Sequence, residues 1–332
     1  MISAGIVGLG VGERHIDGYE THPDCRVTAL ADFSAEKRAD VLTRYPGRVM
    51  HDDADAVLNN PDIDVVSIAT WDNFHFEQVR QALLADKHVF VEKPLVLRAD
   101  HAREIRQILC DRPHLKISSN LILRRCPRFL WLRDQIRSGR FGTLFHLDTS
   151  YQYGRIHKLL SGWRGEVDDY SLVLGGAVHL IDLVMWLTGK RPVRVQAMGN
   201  RIATADSAFR NFDLVRANLM FDDGMIASIG CNGGCVHPHY HKLEVYGTDA
   251  TFVNGLERAF VYRVRNPETP PEVVDAAYPG VDKGDLLADF VNAIIEDREP
   301  EVSVEDVFDA ISVCFAIEHA AHSGQPVDIE YI

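Results

Sequence analysis

The chain has no surplus of positive charge and no basic stretch. Its 35 Lys and Arg residues stand against 48 Asp and Glu residues, which gives a formal net charge of −13. Nucleic acids and anionic membranes are polyanions, so a protein this acidic is a poor general binder of either. We therefore expect a small-molecule ligand, and neither a nucleic-acid partner nor a membrane partner.

No apolar run is uniform enough to predict a membrane span. The longest run, Leu172 to Leu187, contains His179, Asp182 and a Gly-Gly pair, and is better interpreted as a buried helix. The N-terminus enters an apolar strand within four residues, which leaves no room for a signal peptide.

Cysteine is scarce, and the sequence has no internal repeat or low-complexity tract. The six cysteines are scattered and lie mostly in apolar segments, as is typical of reduced thiols in a cytoplasmic protein. The 332 residues, 46% of them hydrophobic, suit two domains that each bury a core. We predict a first domain at 1–119 and a second at 120–332.

The first third of the chain has the pattern of a dinucleotide site. A short apolar strand, Ala4 to Val7, leads directly into Gly8-Leu9-Gly10-Val11-Gly12 and then into a polar helix start. Glycines there allow a tight turn, close approach of the backbone to a pyrophosphate, and helix–sheet packing. The spacing, G-x-G-x-G, is one residue shorter than the usual G-x-G-x-x-G.

An acidic residue follows at the expected distance. The second strand, Arg26 to Ala31, ends in Asp32, which lies 20 positions after Gly12. A carboxylate there accepts hydrogen bonds from the adenosine ribose and repels a 2′-phosphate, so it favours NAD over NADP. Lys37 and Arg38 are close enough in sequence to keep NADP open as the less favoured cofactor.

Two later strands end in polar residues. The strand Val65 to Thr70 leads to Trp71, Asn73 and His75, and the strand Val89 to Val91 ends in Glu92-Lys93-Pro94. Proline cannot extend a strand, so these side chains are expected at the carboxyl edge of a parallel sheet, where ligands bind.

Other interpretations of these residues remain open. His75 could equally cap a helix or lie at the edge of the core, and Lys93 could be a surface lysine at a strand end. The Lys93–Pro94 bond is a candidate cis peptide. With helices between the strands, the first third forms an alternating six-strand pattern, which predicts an α/β, doubly wound parallel sheet.

Together these motifs resemble the Gfo/Idh/MocA family of NAD(P)-dependent sugar and cyclitol oxidoreductases, which includes glucose–fructose oxidoreductase and inositol dehydrogenase. The resemblance rests on Gly8-Leu9-Gly10, Asp32, Ala69-Thr70 with Asn73 and His75, and Lys87-His88-Val89 through Glu92-Lys93-Pro94. The departures are the shortened glycine loop and Trp71, where the family usually has proline.

The resemblance implies a Rossmann-type first domain and an α+β second domain with a large, mostly antiparallel open sheet. It implies contacts to NAD from a set that follows the strand ends: Gly8, Gly10, Val11, Gly12, Asp32, Thr70, Trp71, Asn73, His75, Glu92, Lys93 and Asn120.

A second group of functional residues is predicted on the apolar helix Leu174 to Leu187. His179 and Asp182 are three apart, so they share one helix face, although a lone histidine on such a helix is also typical of a core. With Lys93, they are the predicted catalytic residues.

In the family an acid precedes this histidine and joins the lysine and histidine in the active site. That position is Gly175 here. The candidates to replace the acid are Asp168, Asp169 and Tyr170.

Donors and aromatic residues between Tyr153 and Arg164 suit a polyhydroxylated ligand, although an oligomer contact or a solvated loop would have the same composition. The predicted substrate-binding residues are Lys93, Asn120, Tyr153, Arg155, His157, Trp163, His179 and His237. Cys231 to His241 invites a zinc interpretation, but its C-x₃-C spacing and its Pro and Gly residues argue for a loop. We predict no metal.

From Val193 onward the pattern changes to strands joined by hairpin turns, which predicts an antiparallel sheet. In the family this sheet commonly packs against a second copy, so the resemblance implies a homodimer or homotetramer. The predicted function is NAD(P)-dependent oxidation or reduction of a secondary alcohol of a sugar or cyclitol. Two alternatives remain open: an NAD-dependent glycosidase that oxidises its sugar transiently, and a non-catalytic NAD-sensing regulator.

Overall fold

A computed structural model describes all 332 residues, which divide into two compact units. The first comprises 1–122, 282–308 and Ile332, and the second comprises 123–281 and 309–331. The sequence predicts a boundary at 119/120, with everything later in the second domain. The segment 282–308 joins the first unit because its helix packs on the first sheet, with Phe290 5.6 Å from Phe90 between ring centroids.

The first unit contains a six-stranded sheet in which every pairing is parallel, as predicted. Its spatial order is β3-β2-β1-β4-β5-β6. The strands are β1 Ile2–Val7, β2 Cys25–Ala31, β3 Val49–His51, β4 Val65–Ile68, β5 His88–Val91 and β6 Ile117–Ser119. The chain order reverses between β1 and β4, and ligands bind at such a switch point in doubly wound sheets.

Ten α-helices complete the fold. They are α1 Glu13–Glu20, α2 Ala35–Arg44, α3 Asp55–Leu58, α4 His75–Leu84, α5 Ala99–Asp111, α6 Pro127–Arg137, α7 His157–Leu160, α8 Val178–Thr188, α9 Leu287–Ile295 and α10 Val304–Ser323. The first unit holds α1 to α5, α9 and the start of α10. Helix α5 shows the usual packing logic, since Ala102, Ile105 and Leu109 recur at helical spacing and are all buried.

The second unit is built on a nine-stranded sheet in the order β14-β13-β12-β11-β7-β10-β9-β8-β15. The strands are β7 Leu144–Gln152, β8 Arg194–Asn200, β9 Leu214–Met220, β10 Ile226–Asn232, β11 Tyr240–Gly247, β12 Thr251–Val253, β13 Ala259–Tyr262, β14 Glu272–Val274 and β15 Val327–Asp328. The pairing of β7 with β10 is parallel and the other pairings are antiparallel. The α+β prediction is therefore confirmed.

Several local signals act as the sequence predicts. Helix α6 has Pro127 at its first position and is followed by Gly139 with φ of +75°. Ser303 and Asp306 form a reciprocal capping box before α10, with each side chain bonded to the other residue's backbone N–H. The Lys93–Pro94 peptide is cis.

None of the helices combines the length and the apolar composition needed to cross a bilayer. All six cysteines are free thiols.

Candidate active site

The glycine loop joins β1 to α1, and two of its glycines are required by packing. Gly8 has φ of +85°, and a Cβ there would lie 2.6 Å from the backbone carbonyl group of Ala69. A Cβ on Gly12 would collide with the carbonyl oxygen of Gly8 and would lie 2.9 Å from Ile6. These contacts hold the first turn of α1 tightly against the strand ends.

Gly10 differs, because a Cβ at this position would meet no atom within 4 Å. It faces a cavity of about 380 Å³ in the first unit. The cavity is lined by Val7, Gly8, Gly10, Ala31, Asp32, Phe33, Ser34, Lys37, Asp52, Asp53, Ala54, Ala69, Thr70, Trp71, Phe74 and Gln78. Open space above Gly10, next to the N-terminus of α1, is what close approach of a pyrophosphate requires.

Asp32 stands directly after β2, on the wall of this cavity. Its carboxylate accepts hydrogen bonds from the backbone N–H groups of Leu9 at 2.7 Å and Ser34 at 2.8 Å. Each carboxylate oxygen has a second lone pair, so both ribose hydroxyls could still donate to it. The bond to Leu9 also fixes the acid relative to the glycine loop.

Lys37 and Arg38, the two basic residues whose positions in the sequence allow NADP as the cofactor, both bond to other protein groups. Lys37 lines the cavity, but its ammonium bonds to the Glu13 carboxylate at 2.7 Å. Arg38 donates to the carbonyl oxygens of Asp32 and Phe33, at 2.8 and 3.0 Å. With Asp32, Asp52 and Asp53 on the cavity wall, the local charge suits the free ribose of NAD better than a 2′-phosphate.

Trp71 belongs to an aromatic group at the cavity rim. Its ring meets Phe33 edge-on at 5.8 Å and Phe74 at 6.3 Å between centroids. Both phenylalanines are exposed, at 72% and 46%, and all three rings line the cavity. Exposed aromatic faces of this kind can stack against a planar base.

The residues after β4 take different positions. Thr70 lines the cavity and donates to the Gln78 side chain at 2.6 Å. His75 is fully buried, with its ring nitrogens 2.7 Å from the Pro94 carbonyl and 3.2 Å from the Thr70 carbonyl. It thus ties the loop after β4 to the loop after β5. Asn73 is exposed and, like Val11, does not line the cavity.

Glu92 anchors a buried polar network beneath the end of β5. It accepts a hydrogen bond from the Asn120 amide at 2.7 Å and lies 3.4 Å from the His15 ring nitrogen Nε2. Burial alone would raise the pKa of Glu92, but the His15 hydrogen bond and the charges of Lys283 and Lys93 outweigh it and hold that pKa well below its usual range. Glu92 is therefore a carboxylate at neutral pH.

One side-chain atom of Asn120, the oxygen Oδ1, makes no hydrogen bond in this network. Its amide nitrogen donates to Glu92 and to the Lys283 carbonyl, whereas its oxygen Oδ1 is buried and has no hydrogen-bond partner. A buried acceptor without a donor is unfavourable, and a donor on a bound ligand would satisfy it. Together with the glycine loop and Asp32, this orphaned oxygen fits a bound NAD.

Lys93 follows the last residues of β5 and is half-buried. Its charge is close enough to lower the pKa of Glu92. Lys93 lies at the carboxyl edge of the parallel sheet, the edge at which ligands bind in folds of this type.

In the second unit, His179 and Asp182 are buried on α8. Both Asp182 oxygens accept from Arg124, with the guanidinium Nε at 3.1 and 3.0 Å and NH2 at 2.5 Å from Oδ1. The side chains of the pair are 3% and 1% exposed. Asp182 is thus held in a buried ion pair, which the sequence did not reveal because 58 positions separate the two residues.

A π-helical turn, Val173–Ala177, leads into α8 and carries the two glycines. A Cβ on Gly175 would lie 2.6 Å from the Tyr170 hydroxyl, and a Cβ on Gly176 would collide with the Tyr151 ring. The Tyr170 side chain therefore fills the space that an acid at position 175 would need. Asp168 and Asp169, the other candidates to replace that acid, are exposed.

His241 and His239 gather beside His179. The centroid of the His241 ring lies 6.1 Å from His179 and 5.0 Å from His239, and Tyr151 lies 5.1 Å from His239. The Tyr278 hydroxyl lies 2.9 Å from His241 Nδ1. This group of rings combines apolar faces with hydrogen-bonding edges, as a site for a sugar requires.

The remaining predicted substrate residues divide into two sets. Tyr153 is buried, with the Arg155 guanidinium 5.0 Å from its ring, and Trp163 meets Tyr170 edge-on at 5.6 Å. His157 is exposed on α7. His237 is also exposed, and its ring lies 5.7 Å from Tyr240.

The ring of His237 contacts neither His239 nor His241 and lies against Tyr240 instead. No group of three or more His, Cys, Asp or Glu side chains is arranged to hold a metal ion.

Sequence reasoning missed His15, Phe33 and Phe74 as parts of the site. His15 lies on the buried face of α1 with Ile16 and Tyr19, and this spacing could have marked it as buried. The two phenylalanines carry no comparable signal, since single exposed aromatic residues are common on protein surfaces.

The sheet order, the glycine loop and the acid after β2 define the first unit as a dinucleotide-binding domain. Residues 2–118 match the family described as "Oxidoreductase family, NAD-binding Rossmann fold", and residues 129–253 match "GFO/IDH/MocA C-terminal domain". The chain belongs to the Gfo/Idh/MocA family of oxidoreductases, as its motifs predicted, and NAD is its cofactor.

Named relatives cover nearly the whole chain. An inositol 2-dehydrogenase of Acidothermus cellulolyticus is 26% identical over 97% of this chain and 92% of its own length. A 1,5-anhydro-D-fructose reductase of Ensifer adhaerens is 26% identical, over 92% and 91% of the two chains. A levoglucosan dehydrogenase solved with NADH and levoglucosan has the same fold, with a TM-score of 0.87, 20% identity and full coverage of both chains.

Proposed function

We propose that the protein is an NAD-dependent dehydrogenase or reductase that acts on a secondary alcohol of a sugar, sugar derivative or cyclitol. The observation that carries the proposal is the half-buried Lys93, held at the carboxyl edge of a dinucleotide-binding sheet beside the Glu92 carboxylate. The named activities of the relatives, on inositol and on an anhydro sugar, support this substrate class.

NAD, when bound, accepts the hydrogen from the carbinol carbon as hydride. The chain must bind the cofactor, orient the alcohol and accept the hydroxyl proton. Gly8, Gly10 and Gly12 shape the phosphate loop, Asp32 accepts from the ribose, and the orphaned Asn120 oxygen accepts from a ligand donor. Trp71 and its aromatic neighbours supply a surface for the adenine ring.

Proton handling falls to Lys93 and His179 in this proposal. Lys93 in its neutral form accepts the hydroxyl proton, and the Glu92 carboxylate then stabilises the ammonium that forms. His179, in the second unit, is proposed to bind a substrate hydroxyl group through its imidazole ring. Asp182 acts on α8 through Arg124, which keeps the helix that carries His179 in place.

The second unit contains further candidate substrate-binding residues. We propose that Tyr153, Arg155, Trp163 and the His239–His241 group surround the hydroxyl-rich part of the substrate, with His157 and His237 at the entrance. His75 acts as a positioning residue, since it bonds the two loops that carry Thr70 and Pro94.

The decisive experiment follows NADH absorbance while the purified protein is incubated with NAD and a panel of polyols, sugars and cyclitols. Net NADH formation is expected for at least one class. A hydrolase with transient oxidation would release a sugar with no net NADH, and a sensor protein would bind NAD with neither outcome.

Replacement Lys93→Ala tests the assigned role. Turnover should fall by at least about 100-fold, the lower range for loss of a general base. The Kd for NAD, measured by fluorescence titration, should change less than about threefold, because the glycine loop and Asp32 are left intact. Lys116→Ala, a lysine that pairs with the exposed Asp297, serves as the matched control. Retained turnover in the Lys93 variant would refute the role.

We also propose that the protein forms a homodimer or homotetramer through the nine-stranded sheet. One face of this sheet holds buried residues such as Leu147, Ala227 and Leu243, whereas the opposite face leaves Met198 and Ile226 exposed at 69% and 43%. Antiparallel sheets commonly have one covered and one open face, and exposed apolar residues on the open face favour pairing with a second copy.

A further inference from the structure

We propose that Arg155, assisted by Lys158, binds an anionic group of the substrate. The ligand class is a sugar or cyclitol that carries an oxyanion, either the carboxylate of a sugar acid or the phosphate of a sugar phosphate. The inference rests on the proposed function, since it assigns a substrate class to the same site.

The first observation is the surroundings of the Arg155 guanidinium. It lies 5.0 Å from the Tyr153 ring, and its NH2 is 3.1 Å from His239 Nδ1. Burial raises the pKa of Tyr151 to about 12, while the nearby charge of Arg155 acts in the opposite direction. The immediate neighbours are thus two tyrosines and a histidine, and Arg155 makes no ion pair with a carboxylate.

The second observation is an unused donor on the same side chain. The Arg155 Nε–H is buried and has no hydrogen-bond partner. Buried donors in folded proteins are almost always paired, and leaving one unpaired is unfavourable. A half-buried cation with an unpaired N–H next to a substrate site is the arrangement expected where a ligand oxygen completes the bonding.

Lys158 adds to an excess of positive charge at this place. It is exposed and forms no ion pair. Burial, although slight, together with the charges of Arg155 and Arg164, lowers its pKa. Arg155 and Lys158 therefore repel each other, in a chain where acidic residues outnumber basic residues by 48 to 35.

The backbone holds Arg155 in this position before any ligand arrives. The preceding residue, Gly154, has φ of +60°, and a Cβ there would collide with the His237 carbonyl oxygen and lie 2.9 Å from the His239 nitrogen. This close backbone contact fixes the start of the loop against the loop that precedes β11. A fixed guanidinium presents two parallel N–H donors to a carboxylate or phosphate.

The test compares the wild-type protein with Arg155→Gln and, as a matched control, Arg258→Gln. Arg258 is exposed and pairs only loosely with Asp275, at 3.7 Å. Each protein is given D-glucose, D-glucuronate and D-glucose 6-phosphate, and the corresponding neutral, carboxylate and phosphate forms of any other sugar found to be active. Thermal unfolding in the presence of NADH reports binding, and steady-state NADH formation reports kcat/KM.

We expect the wild type and the control to be stabilised more by an anionic sugar than by the neutral one, and Arg155→Gln to lose that difference. The ratio of kcat/KM for the anionic over the neutral substrate should fall by about 10- to 100-fold, the range for one charge-assisted hydrogen-bonded contact. The difference between the glucuronate and phosphate results identifies which oxyanion the site prefers. Lys158→Ala should weaken the same preference by a smaller factor.

Two results would overturn the subsite: neutral sugars preferred by the wild type, or an anion preference that survives Arg155→Gln. Failure of the proposed function has a separate signature. If no compound yields NADH but an anionic sugar still stabilises the wild type and not Arg155→Gln, the anion site stands and the dehydrogenase assignment falls.

Discussion

At the scale of single residues, the three glycines of the phosphate loop are needed for different reasons. Gly8 and Gly12 are required because a side chain would strike the backbone, whereas Gly10 faces open space. Fold and cofactor binding can therefore be separated at positions only two residues apart. The sequence pattern alone treats all three as one motif.

This separation gives a paired prediction. Gly12→Ala should lower the free energy of unfolding by about 1–3 kcal/mol, as overpacking does. Gly10→Ala should leave it nearly unchanged but raise the Kd for NAD by about tenfold or more, because the added methyl group occupies space next to the pyrophosphate. Urea unfolding and NAD titration of both variants check this, and equal effects on stability would contradict it.

The same scale shows where sequence reasoning stops. Asp32 and Lys93 were located by counting from a glycine loop and from an apolar strand, since both patterns are local. The contacts around them, from the Leu9 N–H to Asp32 and from His15 to Glu92 beside Lys93, depend on how distant segments meet. Asp168, Asp169 and Tyr170 are equivalent candidates in the sequence, and only the packing shows that the Tyr170 hydroxyl lies against Gly175.

At the scale of elements, α8 is held by a buried ion pair. Arg124 and Asp182 are both nearly inaccessible, and each satisfies the other's charge. Removing one partner leaves an uncompensated buried charge, which is far less favourable than removing both.

We predict that Asp182→Ala lowers the free energy of unfolding by about 3–5 kcal/mol. The double variant Arg124→Met with Asp182→Leu should recover most of that loss, because the buried charge is gone and the volume is nearly kept. Denaturant unfolding of the wild type, the single and the double variant provides the comparison. A double variant no more stable than Asp182→Ala would show that the charge is not the cause.

Elements were predictable where their pattern was long or buried. Strands β4 and β5 are buried along almost their whole length and are predicted from the sequence. Strand β3, three residues with little burial, is not. The two-residue β15 and the exposed β14 were also missed, because short edge strands lack periodicity. The return of 282–308 to the first unit has no local signal, since α9 is an ordinary apolar helix until its partner is known.

At the scale of the whole molecule, the proposed dimer or tetramer depends on the open face of the nine-stranded sheet. Ile226 lies on β10 and pairs with His146 of β7 on one side and with Met220 of β9 on the other. Its side chain is therefore on an interior strand of the open face and not at the edge of the sheet. A charge placed there would be desolvated if a second copy covered the face.

We therefore predict that Ile226→Lys reduces the molecular mass in solution to that of one chain, 37.3 kDa, while the wild type is a dimer or tetramer. Ile202→Lys, at a position outside any strand and 78% exposed, should keep the wild-type mass. Size-exclusion chromatography with light scattering measures both. A monomeric wild type would contradict the prediction.

The division of the chain between the two units has a consequence for biosynthesis. Phe90 on β5 is covered by Phe290 from α9, and 200 positions separate the two residues. During synthesis, residues 1–122 leave the ribosome before α9 exists, so the surface around Phe90 is exposed to solvent at first. The first unit can complete its core only when residue 308 has been translated. A recombinant fragment that stops at residue 122 would keep this surface exposed permanently. An isolated cofactor-binding domain therefore requires residues 282–308 to be fused to residues 1–122.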